Sequence, residues 1–248
     1  MTYDLGIIGG TGLARLADFQ IDGREPAATP WGDPSAPIYL GKLAGKSVAF
    51  LPRHGDVHAI PPHRINYRAN IAALKSVGVS RIIAVAAVGG ITPFMSPARI
   101  ALPDQLIDYT HGRAGTFFED GLDAVTHIDF SFPYSETLRE GLLDAAERTG
   151  LDVYDGGVYG CTQGPRLETA AEIRCLERDG CDLVGMTGMP EAALAREQGI
   201  DYACCAVVAN WAAGKTDDVI TMEEIEHNLH TGMADVARLL KAFLAADL

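Results

Sequence analysis

The sequence predicts an α/β fold: a single domain over residues 1–248, with a central mixed β-sheet flanked by helices. Short apolar runs that end in glycine or polar residues alternate with segments of helical periodicity, as strands and helices do in this fold class. Two of the apolar runs, residues 37–43 and 46–52, are separated by Ala44-Gly45, which predicts a hairpin. No repeat, low-complexity tract or linker divides the chain, and its 48% hydrophobic composition can bury a large core.

The first elements follow from apolar runs and turn residues. The run at residues 3–8 leads into the turn Gly9-Gly10-Thr11-Gly12, whereas residues 20–35 contain three prolines and are expected to be irregular. Helical periodicity over residues 66–76 ends at Val77-Gly78. The predicted strands of this part are residues 3–8, 37–43, 46–52, 81–88 and 100–109.

The later elements begin with a long loop, residues 111–134, which is rich in glycine and aromatic residues and of a length that is often functional. Ser135 is expected to cap a helix that ends near Gly150. The predicted strands that follow are residues 153–161, 182–186 and 202–210. The predicted helices are residues 168–178, a helix at 191–198 opened by Pro190, and a last helix that runs from a capping box at 221–224 to about Ala246.

Composition excludes several partners. A net charge of −13 argues against a nucleic acid or an anionic membrane surface. No apolar run is long enough to span a membrane, and the start of the chain lacks the pattern of a signal peptide. The five cysteines form no CxxC pair, so we expect small buried thiols in a reducing cytoplasm, with a catalytic thiol as the alternative.

Two motifs at strand ends are candidate anion sites. The glycine-rich turn that contains Thr11 exposes backbone N–H groups, but the hairpin that follows does not fit a dinucleotide site, so an anion-binding turn or a plain tight turn remains. Arg53, at the end of residues 46–52, offers a planar fork of donors suited to phosphate, and His54 could add a donor. The alternative for this pair is an exposed charged turn. Pro61 and Pro62 disfavour a metal site built from the neighbouring histidines.

A third group of polar residues follows the later strands. Thr187 lies where a helix N-terminus would face an anion, and Met186 could pack on a ligand or simply fill the core. Glu168 and Asn210 could together recognise a heterocycle, because a carboxylate needs a donor whereas an amide both donates and accepts. A 6-oxopurine offers N1–H, O6 and a protonated N7. The alternatives are a charge at a helix N-terminus for Glu168 and a strand cap for Asn210.

These motifs resemble the methylthioadenosine/purine nucleoside phosphorylases of the trimeric branch. The resemblance covers nearly the whole chain and rests on IIGGTG (7–12), PRHG (52–55), HRINYRANIAALK (63–75), QGPRLETAAEIR (163–174) and MTGMPEAALARE (186–197). It implies a purine nucleoside phosphorylase-like fold. It also implies cleavage of a purine nucleoside by inorganic phosphate without a metal or cofactor, and a homotrimer that could pair into a hexamer.

The resemblance also assigns residues. The phosphate-binding residues would be Thr11, Arg53, His54, Ala87 and Thr187, with Met186 against the ribose. Leu167 takes the place of a phenylalanine found against the base in many relatives. His127 resembles the histidine that reaches the 5′ group of a neighbouring subunit's substrate, and Met222 and Ile225 lie where relatives contact that group.

The base-recognition residues depart from the methylthioadenosine enzymes, which carry D-x-D at the end of the last strand where this chain has Asn210-Trp211-Ala212. With Glu168, this sequence resembles the 6-oxopurine enzymes, while apolar Met222 and Ile225 favour a methylthio group. We therefore expect phosphorolysis of S-methyl-5′-thioinosine, with Asn210 and His54 as the catalytic residues.

Other functions remain open at this point. An inosine/guanosine or a methylthioadenosine phosphorylase is the alternative substrate assignment. A non-catalytic nucleoside-binding protein would lack a working phosphate site, and a hydrolase would need an acidic base that the sequence does not reveal.

Overall fold

The computed structural model describes residues 3, 5–10 and 19–246 and has an α/β fold with a mixed sheet. Its strands are β1 (Leu5–Gly9), β2 (Gln20–Glu25), β3 (Ile38–Leu43), β4 (Lys46–Pro52), β5 (Arg81–Gly90), β6 (Ile100–Leu102), β7 (Gln105–Asp108), β8 (Val153–Asp155), β9 (Val158–Cys161), β10 (Leu183–Gly185) and β11 (Asp201–Trp211). Its helices are α1 (Tyr67–Ser76), α2 (Glu136–Thr149), α3 (Ala170–Arg178), α4 (Glu191–Glu197) and α5 (Met222–Ala245).

Strand β5 is the centre of the sheet. It pairs in parallel with β11 along its length, with β1 near its start, and antiparallel with β10 at Gly89 and Gly90. The hairpin β3–β4 extends the sheet beyond β1, and β9 and β7 extend it beyond β10. Parallel and antiparallel pairs therefore coexist, which confirms the predicted mixed sheet.

Helices cover both faces of this sheet, so β5 and β11 are apolar on both sides. In β5, Ile82 belongs to the core cluster shared with α1 and α4, whereas Ile83 belongs to the cluster shared with α2 and α5. This burial explains why both strands read as continuous apolar runs. None of the described helices is long and apolar enough to cross a membrane.

Capping interactions mark several helix ends, although the predicted cap residue Ser135 makes no side-chain hydrogen bond to α2. The Asn66 side chain caps α1 by accepting from the Ala69 N–H, and Thr169 and Glu172 form a capping box on α3. Gly150, with φ of 64°, ends α2 in the left-handed region. Pro190 precedes α4 as its N-cap residue.

Two of the predicted strands are each divided into two strands in the structure, so the prediction of single strands was wrong. Residues 100–109 form β6 and β7, separated at Pro103-Asp104, and residues 153–161 form β8 and β9, separated at Gly156-Gly157. Strands β6 and β8 pair with each other, as do β7 and β9. The glycines, with φ near 100°, let the chain leave one part of the sheet for another.

The region predicted to be irregular also contains a strand. Residues 20–25 form β2, which pairs antiparallel with β3 at the edge of the sheet. Because this edge strand is mostly exposed, its sequence carries no apolar alternation that could have revealed it.

Candidate active site

A cavity of about 650 Å³ lies at the carboxyl ends of β5 and β11 and beside the segment after β10. This is the edge where open α/β sheets bind ligands. The predicted site residues that line the cavity are Arg53, His54, Ala87, Leu167, Glu168, Met186, Thr187, Asn210 and Ile225. Residues from distant parts of the sequence thus meet around one space.

Three predicted site residues are not among these lining residues. Thr11 lies outside the described residues. His127 is exposed on the loop that follows β7, and Met222, at the start of α5, is 65% exposed. Neither side chain lines the cavity of a single chain, so the role assigned to His127, which involves a neighbouring subunit, stays a prediction.

Arg53 follows β4 and is 2% exposed, although it carries a full charge. Its Nε and Nη2 each donate to a carboxylate oxygen of Glu191 at 2.7 Å, and Nη1 donates to the Val85 carbonyl. Tyr202 donates its hydroxyl to the same carboxylate at 2.9 Å. The remaining N–H bonds of Nη1 and Nη2 are free of these partners and can serve an anion in the cavity.

Glu191 fixes the charge state of this arginine. Burial alone would lower the pKa of Arg53, but the Glu191 carboxylate outweighs burial and holds that pKa above its ordinary value. The pair is bidentate and buried, with Glu191 0% exposed. A buried charge that is paired in this way has one orientation, so the guanidinium is positioned before any ligand arrives.

His54, the next residue, is held through the Nδ1 edge of its ring. Its Nδ1 lies 2.8 Å from the Ile60 carbonyl, which can only accept, so Nδ1 carries a proton. Burial, with Arg53 nearby, lowers the pKa of His54 to about 4. At neutral pH the ring is therefore uncharged, and Nε2 carries a lone pair rather than a hydrogen.

Glu168 and Asn210 also line the cavity, and each keeps part of its hydrogen-bonding capacity. Glu168 Oε1 accepts from the Thr162 hydroxyl at 2.6 Å, which leaves Oε2 for another donor. Asn210 Nδ2 donates to the Trp211 carbonyl at 2.7 Å, which leaves its second N–H and Oδ1. A β-bulge between Val208 and Asn210 sets the direction of the Asn210 side chain.

Apolar side chains supply much of the remaining cavity wall. Met186 lies against Gly164, where a β-carbon would come within 2.4 Å of the methionine sulfur. From α5, Ile225, Leu229 and Met233 line the cavity at a spacing of four residues, which places them on one face of the helix. Only the first of these three was a predicted site residue.

Arg113, on the loop after β7, ties two cavity-lining segments together. Its Nη1 donates to the carbonyls of Met186, at 2.9 Å, and Met189, and its Nη2 donates to those of Gln163, at 2.9 Å, and Thr162. One half-buried guanidinium therefore sets the spacing between the Thr162–Glu168 side and the Met186–Thr187 side. The long loop thus has a role that its composition did not specify.

We expect Arg113→Ala to lower kcat/KM for the substrate by up to about 10²-fold. A shift of the cavity-lining segments by about 1 Å would misplace the substrate, and a misplacement of that size can cost this much even when the mutation is remote. It should also lower the melting temperature, since four carbonyls lose a donor. Arg113→Lys should recover part of both losses. Steady-state kinetics and thermal unfolding of both variants measure this, with the exposed Arg178→Ala as control. Wild-type kinetics in Arg113→Ala would contradict the role.

Sequence reasoning missed Glu191, Arg113, Leu229 and Met233. Glu191 was assigned only to a helix, because a carboxylate that is fully buried looks the same in sequence as one on the surface. Leu229 and Met233 could have been found from their spacing to Ile225.

Thiol and metal chemistry have little support in the described part of the chain. Cys161, Cys181, Cys204 and Cys205 are buried, and only Cys175 is exposed. Burial raises the pKa of Cys161 and of Cys205 to about 12, so these thiols stay protonated. No group of three or more histidine, cysteine, aspartate or glutamate side chains with metal-binding proximity occurs among the described residues.

Known proteins resemble this chain along almost its entire length. Residues 4–245 match the phosphorylase superfamily. The chain is 58% identical over 241 residues to a probable S-methyl-5′-thioinosine phosphorylase from Pseudomonas syringae pv. tomato, covering 97% of this chain and 98% of the relative. It is 44% identical over 246 residues to a 6-oxopurine nucleoside phosphorylase from Pyrococcus furiosus, covering 96% and 91%.

A solved structure has the same architecture. Methylthioadenosine phosphorylase from Schistosoma mansoni in complex with adenine superposes with a TM-score of 0.93 at 31% identity, covering 98% of this chain and 91% of that one. The fold is therefore shared between proteins whose names specify different purines, and the residues around the cavity must carry the difference.

Proposed function

The chain belongs to the phosphorylase superfamily, and we propose that it cleaves S-methyl-5′-thioinosine with inorganic phosphate, yielding hypoxanthine and 5-methylthioribose 1-phosphate. The protein is then a pentosyltransferase, and phosphate is its co-substrate. The observation that carries the proposal is that Glu168 and Asn210 both line the cavity and that each keeps hydrogen-bonding capacity not used within the protein.

Base recognition follows from the hydrogen bonds these two side chains can still make. The free Glu168 carboxylate oxygen can accept from N1–H of hypoxanthine, while Asn210 can donate to O6 and accept from a protonated N7. Adenine would present a bare N1 to the carboxylate and an amino group to the amide N–H. Each mismatch leaves a polar group unpaired, which is how such sites reject the wrong substrate.

The 5′ end of the nucleoside is assigned to the face of α5. Ile225, Leu229 and Met233 supply an apolar wall that suits a methylthio group better than a hydroxyl. Inosine and guanosine remain a second candidate class, because Glu226 and His230 also line this part of the cavity and could bind a hydroxyl.

Phosphate is assigned to Arg53, His54, Ala87 and Thr187, which all line the cavity. The exposed face of Ala87, within the otherwise buried β5, leaves room for an anion next to the guanidinium. Thr11, in the glycine-rich sequence that follows β1 and outside the described residues, completes the proposed set.

Catalysis in this arrangement is mainly positioning and charge stabilisation. As the glycosidic bond breaks, positive charge develops on the ribose and negative charge on the purine. Bound phosphate stabilises the first and attacks the anomeric carbon, and Asn210 stabilises the second through N7–H and O6. Neither role requires a metal or a cofactor, and we propose that none is used.

We further propose a homotrimer that can pair into a hexamer, in which His127 of one subunit reaches the 5′ group in its neighbour. Met222, exposed in the single chain, would contribute to the same region. The proposed location is the cytoplasm, where free thiols are stable.

A substrate panel tests the proposed function. We expect kcat/KM for methylthioinosine to exceed that for methylthioadenosine by at least about 10²-fold, since the amide–O6 and carboxylate–N1 contacts act on only one of them. The kcat/KM for inosine should be lower than that for methylthioinosine by about 10-fold or more, because inosine lacks the methylthio group that would contact the apolar wall. Reaction without phosphate should be undetectable, and phosphate-independent cleavage would instead identify a hydrolase.

A further inference from the structure

We infer that Asn228, on α5, is a positioning residue that links the apolar 5′ wall to Asn210, so that a 5′-methylthio group speeds the chemical step as well as binding. This inference rests on the proposed function, because it concerns how two ends of the same substrate act together. Asn228 is not among the described residues that line the cavity, whereas Leu229, the next residue, is. It therefore acts through its neighbours and not by touching the substrate.

The link is one hydrogen bond at the bulge of β11. The half-buried Asn228 side chain donates from Nδ2 to the Ala209 carbonyl at 2.9 Å. The pairing of β11 with β5 passes from Val208 to Asn210 and omits Ala209, which is 3% exposed. A buried carbonyl at such an unpaired position needs a donor from elsewhere in the fold, and Asn228 supplies it.

This carbonyl also controls the direction of Asn210. It belongs to the planar peptide unit that joins Ala209 to Asn210, and rotation of that plane would redirect the Asn210 side chain. The Trp211 carbonyl restrains the same side chain through Nδ2. The bond from Asn228 therefore helps to fix the amide that is assigned to O6 and N7–H of the purine.

The N-terminal half of α5 has few other attachments to the sheet. The buried residues of α5 all lie between Gly232 and Leu244. Among the described residues, the bond from Asn228 is the only side-chain hydrogen bond that joins residues 222–231 to another element. Gly232, one turn further on, brings the helix close to β11, because a β-carbon there would come within 2.3 Å of the Val207 side chain.

The wall and the purine selector thus share one attachment. A methylthio group that packs on Ile225 and Leu229 would hold this half of α5 in place, and Asn228 would pass the restraint to Ala209. Binding energy from a remote part of the substrate is then used to orient a group at the reacting base. Inosine lacks the apolar contact, so it should restrain the helix, and with it Asn210, less well.

Single-turnover rates of methylthioinosine and inosine test the inference, because they report the chemical step separately from product release. In the wild type we expect the methylthioinosine rate to exceed the inosine rate by about 5-fold or more, a typical size for coupling between sites. In Asn228→Ala the methylthioinosine rate should fall by about 10–10²-fold as Asn210 is misplaced. The ratio of the two rates should fall below about 2.

Three further variants separate the hydrogen bond from general effects on α5. His227→Ala makes the same replacement at the adjacent exposed residue, which does not line the cavity, and should keep the wild-type rates. Asn228→Asp keeps the shape but turns an acceptor toward the Ala209 carbonyl, so it should lose the ratio as Asn228→Ala does. Asn228→Gln keeps an amide donor and should recover part of the ratio.

A wild-type ratio near 1 would overturn the inference, as would a wild-type ratio retained in both Asn228→Ala and Asn228→Asp. Hydrogen exchange requires no turnover and tests the link itself. In Asn228→Ala, exchange should accelerate in residues 205–212 and in residues 222–231 but not in α2, and unchanged exchange in both segments would also refute the link. Absent phosphorolysis in the wild type would refute the proposed function, whereas the exchange result would still decide whether Asn228 joins the two segments.

Discussion

Glu191→Gln is expected to lower kcat/KM for phosphate by about 10²–10³-fold, the loss typical of removing one preorganised electrostatic contact. Glutamine keeps the volume of the side chain but replaces one acceptor oxygen by an amino group that faces an Arg53 donor. The guanidinium, 2% exposed, would then be a buried charge without its counter-ion. It should rotate or recruit water, and the donors aimed at the anion would be lost.

The same substitution should destabilise the fold by about 3–5 kcal/mol, the usual cost of removing one partner of a buried ion pair. Phosphate and nucleoside KM, measured separately, distinguish a site effect from general instability, since only the phosphate KM should rise steeply. For Glu191→Asp, which keeps the charge, both the phosphate KM and the stability should lie between those of the wild type and those of Glu191→Gln. Glu177→Gln removes an exposed ion pair to Lys215 and serves as control, because such pairs contribute only about 0–1 kcal/mol.

A phosphate KM within threefold of wild type in folded Glu191→Gln would mean that Val85 and the backbone alone position Arg53. Arg53→Ala then becomes the informative variant. Its phosphate KM should rise steeply whether or not Glu191 positions Arg53, and an unchanged value would remove Arg53 from the phosphate site.

Asn210→Asp is expected to reverse or weaken the preference for 6-oxopurines. An aspartate can accept from a 6-amino group and from N7–H, but it cannot donate to O6. Activity on methylthioinosine should therefore fall by about 10²–10³-fold, while the ratio of methylthioadenosine to methylthioinosine kcat/KM rises. The new carboxylate would also face the Trp211 carbonyl that now accepts from Nδ2, so some loss of stability is expected.

Asn210→Ala is the matched comparison for this prediction. It removes both hydrogen bonds without favouring either base, so activity on both nucleosides should fall and their ratio should move less than in Asn210→Asp. If Asn210→Asp keeps the wild-type activity and base preference, the role given to Asn210 is wrong, and Glu168 alone would have to discriminate.

Sequence patterns located most of the cavity because its residues come at the ends of apolar runs. Arg53 follows β4, Ala87 lies near the end of β5, and Asn210 near the end of β11. The carboxyl ends of parallel strands lie at one edge of a sheet, so the convergence of these residues was predictable. The burial of their side chains was not predictable from the sequence. From the sequence, Arg53 fits an exposed charged turn equally well. Its buried contact with Glu191, far along the chain, places the guanidinium inside the protein.

The sequence by itself determined the α/β class, the approximate positions of the helices and the residue types at the strand ends, because these depend on neighbours within a few positions. Tertiary structure decided the direction and state of the side chains. The bulge at Ala209 aims Asn210, Ile60 fixes the tautomer of His54, and Glu191 holds Arg53. Each of these depends on an atom brought close by folding, and a pattern of residue types does not encode that distance.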